Sequence, residues 1–404
     1  MPRTDRRWRN LVFLTLLLYL LYNYFPSPPK WENNRSANRP APTREQTTKP
    51  EFLYHSHFRQ NPDVTLENQL EQALLNIENR ALLPEARGTV KKIWQTGPED
   101  AEEREYDCRR WQEQNSGWEY KYLTDRDGLD FVQSLNSIPS LTEIYTNYPV
   151  SILRADLLRY LLLWYNGGFY ADIDVHPIQP IEFCNSLNPL FTEHYHNISL
   201  AVSIEIDEPY ASTAMKKQWH WSRTYGFIQY TLYAPRRFSP FLRRAIVRVI
   251  AHSVRHNRAS SGFFHGPRYS EEDILEVTGP GMFTDAVLDV LSESLPQEHD
   301  LMSASVKADE TAGEIKRDDR ARVTWAPFHH LKEPLWIDGK AGRGQSAEGE
   351  GEAESVSGLL VLPINVWGNG QRHSGAEMFD SKEACVNHRF GRTWKKGWWE
   401  YIFG

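Results

Sequence analysis

Cysteine is scarce: Cys108, Cys184 and Cys385 are the only three in 404 residues. Three thiols close at most one internal disulfide and leave one over, so no disulfide framework carries the fold. No Cys-x-x-Cys occurs, which removes the usual anchor of a structural zinc site. Positive charge is also in short supply. Lys and Arg number 46 against 53 Asp and Glu, a net charge of -7. A nucleic-acid footprint needs a strong basic bias, so no nucleic-acid partner is expected. No internal repeat is present, and beyond Trp111 no apolar run is long enough to cross a bilayer.

Aromatic residues, by contrast, are plentiful. With 14 Trp, 19 Tyr and 18 Phe in a chain that is 40% hydrophobic, a large globular core can be buried. The one long apolar run, "LVFLTLLLYLLYNYF", spans Leu11 to Phe25 and follows Arg3, Arg6, Arg7 and Arg9. It reads as a signal anchor, with residues 1–10 as a cytoplasmic tail and 11–25 in the membrane. A cleaved signal peptide and a buried helix are the other readings, but "PSPPKWENNR" follows the run rather than a small-residue cleavage site. The run is short of the roughly 20 residues of an average span and suits a thinner early secretory membrane. The rest of the chain is then lumenal, where the sequons Asn34-Arg35-Ser36 and Asn197-Ile198-Ser199 meet the glycosylation machinery.

Residues 26–87 read as a stem, because Pro26 to Pro50 carry too little apolar surface to offset the entropy of ordering. Within it, Leu66, Leu70, Leu74 and Ile77 recur at helical spacing. That segment is either a stem helix or short coiled coil, or a helix packed on the catalytic domain. Residues 88–404 form the expected α/β catalytic domain. "GTVKKIWQTG" reads as its first strand and "SILRADLLRYLLLWYNGG" as a helix capped by Ser151 and stopped at Asn166-Gly167. "FYADIDV" and "LAVSIEID" read as strands. Residues 338–358 are a Gly-, Ser-, Ala- and Glu-rich insertion, after which "LLVLPINVWG" resumes the fold.

The chemistry concentrates in "NGGFYADIDVHP", Asn166 to Pro177. On a continuous strand Tyr170, Asp172, Asp174 and His176 share one face, with the two carboxylates roughly 6 to 7 Å apart at Cα. They can converge on one Mn²⁺ or Mg²⁺ and the diphosphate it neutralises. The competing reading is a polar edge strand, and Glu205 and Asp207 in "SIEIDEP" make an equally alternating pair. A haloacid-dehalogenase-type phosphatase motif is disfavoured, since no continuously apolar strand near the domain start precedes "DIDVH".

Taken in order, "KKIWQT", "SILRADLLRYLLLWYNGGFYADIDV", "IEID", "GFIQYTLYAPRRFSP", "EVTGPGMFTDAV" and "VNHRFGRTWKKGW" resemble glycosyltransferase family 32, in particular its fungal initiation-specific α-1,6-mannosyltransferases. The resemblance implies a GT-A fold behind a type II anchor in the Golgi membrane. It also implies GDP-mannose as donor, Mn²⁺ as metal, retention of configuration, and the core N-glycan of secretory glycoproteins as acceptor, with membership of a mannosyltransferase complex an open expectation. Residue by residue, it assigns Asp174 and His388 to the metal, with Asp172 on the donor ribose and the metal's water shell. Asp156 and Arg159 go to the donor sugar and phosphate, or to a structural i to i+3 ion pair. Trp94 is placed at the nucleotide base, or in the core, and Trp394 and Lys395 over the diphosphate. Gln95, Arg154 and Tyr170 complete the expected donor pocket. No residue identifies itself as the nucleophile. A relative that mannosylates a sphingolipid headgroup and a non-catalytic glycan-binding scaffold are the alternatives.

Overall fold

The computed structural model describes residues 50, 56–81, 89–99, 105–192, 197–261, 266–312, 322–338 and 358–390. The anchor, much of the stem, the interior of the 338–358 insertion, Trp394 and Lys395 lie outside them. Among the described residues no helix is long and apolar enough to cross a membrane.

"KIWQT" alternates large side chains to opposite sides, and β1 (Lys92–Gly97) buries both of its faces. Ile93 enters one apolar cluster with Trp111 and Phe169, while Trp94 enters the other with Leu157, Leu161 and Ile246. The remaining strands are β2 (Glu119–Thr124), β3 (Gly168–Ala171), β4 (Val175–Pro177), β5 (Ile198–Asp207), β6 (Tyr225–Phe227), β7 (Thr231–Ala234), β8 (Leu335–Ile337), β9 (Gly358–Leu362) and β10 (Val386–His388). The main sheet runs in the order β2-β1-β3-β7-β5-β9-β8, with β6 beside β5, and β4 pairs with β10 apart from it. β2, β1 and β3 are parallel, and β7 runs against both β3 and β5. The fold is therefore a mixed α/β sheet with helices packed on it, and β1, β3 and β5 point the same way.

The helix Ser151–Asn166 feeds β3 and buries Leu153, Leu157, Leu161 and Trp164 against Pro240–Ser260 and the sheet. Ser151 is its first helical residue rather than its cap; Val150 takes the N-cap position and makes no side-chain cap. The double glycine after it has a specific cause. Gly167 and Gly168 have φ of 67° and 103°, and a Cβ on Gly168 would sit 2.7 Å from the Lys92 carbonyl oxygen. Only glycine turns this tightly against β1.

Of the two readings of the segment that carries Leu66, Leu70, Leu74 and Ile77, the packed helix is the one observed. Val64–Arg80 buries Leu70 and Leu74 completely, and Glu78 accepts from the Trp164 indole at 2.8 Å and from Arg243. The ordered unit thus reaches back to Ser56, whose backbone N–H donates to Asp285 at 3.0 Å. At the far end, a Cys184–Cys385 disulfide joins positions 201 residues apart with Cα atoms 5.5 Å apart, and Cys108 is free.

Candidate active site

Strands β1, β3 and β5 leave the sheet at one edge, and in open α/β sheets ligands settle outside such carboxyl ends. The acidic pair sits there, though not as a continued strand. β3 stops at Ala171, and Asp172 to Val175 close a turn with Val175 N–H on the Asp172 carbonyl at 2.9 Å. This corrects the expectation of strand alternation. The Asp172 N–H donates to the Tyr230 carbonyl at 2.8 Å, one pair beyond Ala171↔Thr231 in the β3–β7 register, so the turn leaves from the β7 side of the strand.

Asp172 is held from behind. Its Oδ1 accepts from Arg159 Nη2 at 2.8 Å and from the Tyr170 hydroxyl at 2.9 Å, while Arg159 Nη1 lies 2.8 Å from Asp156. Asp156 in turn accepts from Thr278 at 2.7 Å and Gln229 at 3.3 Å. Burial pushes the Asp156 and Asp172 carboxyls upward, against the pull of the shared guanidinium. Arg159 stays charged, because Asp172, Tyr170 and Asp156 outweigh its desolvation. Asp156 and Arg159 are 0% and 1% exposed and form the i to i+3 ion pair, whose guanidinium also reaches Asp172.

Three more expected donor-pocket residues also make internal contacts. Trp94 is buried in the core, with its indole N–H on the Gly167 carbonyl at 2.8 Å. Gln95 donates to the Asp172 carbonyl at 3.1 Å and steadies the turn. Tyr170 is sealed between Thr96 and Arg159, and burial followed by Asp172 pushes its hydroxyl up. Arg154 makes its contact elsewhere, donating to the Tyr148 carbonyl at 2.9 Å.

The other carboxylate of the turn is Asp174, partly exposed like Asp172. β10 lies antiparallel on β4 in the register His388↔Val175, and Arg389 N–H donates to the Asp174 carbonyl at 2.9 Å. His388 Nε2 comes to rest 3.1 Å from Asp174 Oδ1, across 214 residues of sequence. Two cis ligands on bonds of about 2.1 Å are separated by about 3 Å, so this pair fits one edge of an octahedral divalent site. His388 Nδ1 is buried with no hydrogen-bond partner among the described residues, and the ring stacks on Tyr230 at 4.3 Å. Asp172 does not close with Asp174 and His388 to a three-ligand spacing. Among the described residues, the group whose ligand atoms all lie within 4.8 Å of one another is Asp207, His329 and His330. There His329 Nδ1 and the His330 N–H each lie 2.7 Å from an Asp207 oxygen.

Sequence reasoning missed Tyr230, Gln229, Thr278 and Glu205. The first three lay inside blocks already singled out, but their partners come from elsewhere in the chain. Glu205 had been set aside as half of an ordinary acidic pair. It lies two residues before the end of β5, in the field of His388, and burial, only partly offset by that histidine, pushes its carboxyl up to about 7.

Residues 101–195 match the family described as glycosyltransferase sugar-binding region containing DXD motif. The chain is 26% identical over 319 residues to an initiation-specific alpha-1,6-mannosyltransferase of Candida albicans, covering 77% of this chain and 73% of that protein. Against the Saccharomyces cerevisiae protein of the same name it is 22% identical over 490 aligned residues, covering 97% and 96%. An inositol phosphoceramide mannosyltransferase 3 of Schizosaccharomyces pombe is 37% identical over 79 residues, 19% of each chain.

Proposed function

We propose that this chain, a glycosyltransferase with a DXD-containing sugar-binding region, transfers mannose from GDP-mannose to the core N-glycan of secretory glycoproteins in α-1,6 linkage. It does so with retention of configuration, on a GT-A fold. In this reading residues 88–404 are the lumenal catalytic domain of a single-pass type II Golgi membrane protein. The observation that carries the reading is His388 delivered to Asp174 at the carboxyl ends of parallel strands. An acidic turn completed by an imidazole from the far end of the chain is a site for a divalent ion, Mn²⁺ or Mg²⁺, and the diphosphate it neutralises.

Asp174 and His388 would hold that ion. When bound, it supplies the positive charge that stabilises the departing nucleoside diphosphate. Asp172 faces the donor ribose and the ion's water shell, and its carboxylate is aimed by Arg159 and Tyr170. Asp156, Gln229 and Thr278 keep that guanidinium in place, so the donor-side carboxylate is pre-oriented before substrate arrives. Similarity over 77% and 97% of the chain to two initiation-specific mannosyltransferases supports the N-glycan acceptor over a sphingolipid headgroup, for which the similarity is local.

The test uses the detergent-solubilised full chain with Mn²⁺ and a panel of GDP-, UDP- and CMP-sugars. GDP-mannose should be hydrolysed slowly alone and faster with a Man8 or Man9 N-glycan, yielding an α-1,6-mannosylated product. No turnover of GDP-mannose under any of these conditions refutes the reading, and transfer to inositol phosphoceramide in place of the glycan redirects it.

A further inference from the structure

Beyond the donor pocket, the end of β5 carries a second built surface. The helix Thr213–Trp219 ends on His220 in the left-handed region, and the chain returns with Trp221. Trp219 and Trp221 stack with ring centroids 5.6 Å apart and planes 13° apart, and His373 sets its edge against both at 5.1 and 4.8 Å. Both indoles remain only half-buried, although this chain seals Trp111, Trp164 and Trp367 completely. The Trp219 indole N–H is buried with no hydrogen-bond partner among the described residues.

His373 is held in place at a conformational cost. Its neighbours Arg372 and Ser374 have φ of 67° and 57°, a region non-glycine residues adopt only where the surroundings impose it. The surroundings here are the last residues of β5. Gln371 donates to the Glu205 carbonyl at 2.7 Å, and the Asp207 N–H donates to Ser374 Oγ at 2.8 Å. The loop that carries His373 is thus tied to the backbone of Glu205 and Asp207, in the last residues of the strand that points the same way as β1 and β3.

We propose that Trp219, Trp221 and His373 form the acceptor subsite, on which a neutral hexose of the acceptor oligosaccharide lays its apolar C–H face against indole. The inference rests on the mannosyltransferase reading for the identity of the sugar. A half-exposed aromatic pair offers what the C–H face of a pyranose needs, a flat apolar surface. His373 adds no charge that a neutral sugar would fail to match, since burial pulls its imidazole down to about 4. The subsite also gives the strained loop a role, as its backbone shape aims His373 at the tryptophans.

The experiment is calorimetric titration of the full chain with a free Man9 N-glycan and no donor, with melting by circular dichroism as the folding control. Wild-type protein is expected to bind saturably, and Trp219→Ala and Trp221→Ala each to weaken binding at least tenfold. Should an alanine variant fail to fold, Trp221→Phe decides, and a loss smaller than tenfold but larger than twofold is expected. The proposal is overturned if wild-type protein does not bind the glycan, or if folded variants bind within twofold of it. Glycan binding that survives in the absence of any GDP-mannose turnover refutes the donor assignment and leaves the subsite standing.

Discussion

Breaking the Cys184–Cys385 disulfide should cost activity out of proportion to stability. The bond spans 201 residues, for which the loop-closure relation gives an entropic ceiling of about 5 kcal/mol. Native strain and residual unfolded-state structure reduce such values, so about 3 kcal/mol is the working figure for Cys385→Ser. A domain of roughly 300 to 350 residues unfolds with an entropy of about 0.7 kcal/mol/K, and the melting temperature should fall by roughly 4 °C. Activity should fall further, because β10 is otherwise held to β4 by a three-residue ladder and the Arg389 to Asp174 bond. A shift of 1 Å in His388 disrupts a catalytic geometry that global stability does not register, and such shifts cost on the order of 100-fold in rate. The assay pairs a melting curve with mannosyl transfer measured well below the transition, for the wild type and for both Cys184→Ser and Cys385→Ser. Full activity in a variant that has lost the expected 4 °C would show that the staple does not position His388, and the reasoning would fail.

His388→Ala should lower turnover by at least 100-fold with the melting temperature within about 2 °C of wild type, and added imidazole should restore part of it; full activity without imidazole would remove His388 from the site. Gly168→Ala should destabilise by about 1 to 3 kcal/mol in urea unfolding, since its φ of 103° and the Lys92 oxygen 2.7 Å from a new Cβ leave no relaxed solution. Asp156→Asn should cost about 3 kcal/mol or more, because it removes a charge partner from the buried Arg159 while keeping the side-chain shape. Glu205→Gln tests a pH effect. With the folded carboxyl raised to about 7 from 4.5, the native state holds a proton the unfolded chain has released, so this group lowers stability as pH rises from 4.5 to 7. The shift of about 2.5 units sets a ceiling of roughly 3 kcal/mol. The buried His373, drawn down to about 4, acts oppositely below 6.5, so the comparison must be wild type minus variant. The variant should gain stability relative to wild type at pH 8 and not at pH 4.5.

Much of this protein is legible in its sequence alone. The leucine helix, the double glycine, β1, β5 and the resumption at β9 are local patterns, set by side-chain period and by glycine's access to positive φ, and each is visible within a dozen residues. The acidic turn is visible as a motif but not as a turn, because the groups that hold Asp172 there, the Arg159 guanidinium, the Gln95 amide and the Tyr230 carbonyl, come from other parts of the chain. The same limit applies to roles. "Arg159 three after Asp156" predicts an ion pair, yet only the fold shows that the pair is sealed and that its guanidinium also reaches Asp172. The fold likewise places Trp94 in the core, its indole bonded to Gly167. Whether the leucines of 64–80 made a stem or a packed helix depended on Glu78 meeting Trp164 and Arg243. Chemistry-bearing residue types and element boundaries follow from short-range sterics and periodicity, which a linear string records. Which of those residues meet depends on register, burial and a disulfide closing 201 residues, and those belong to the folded chain alone.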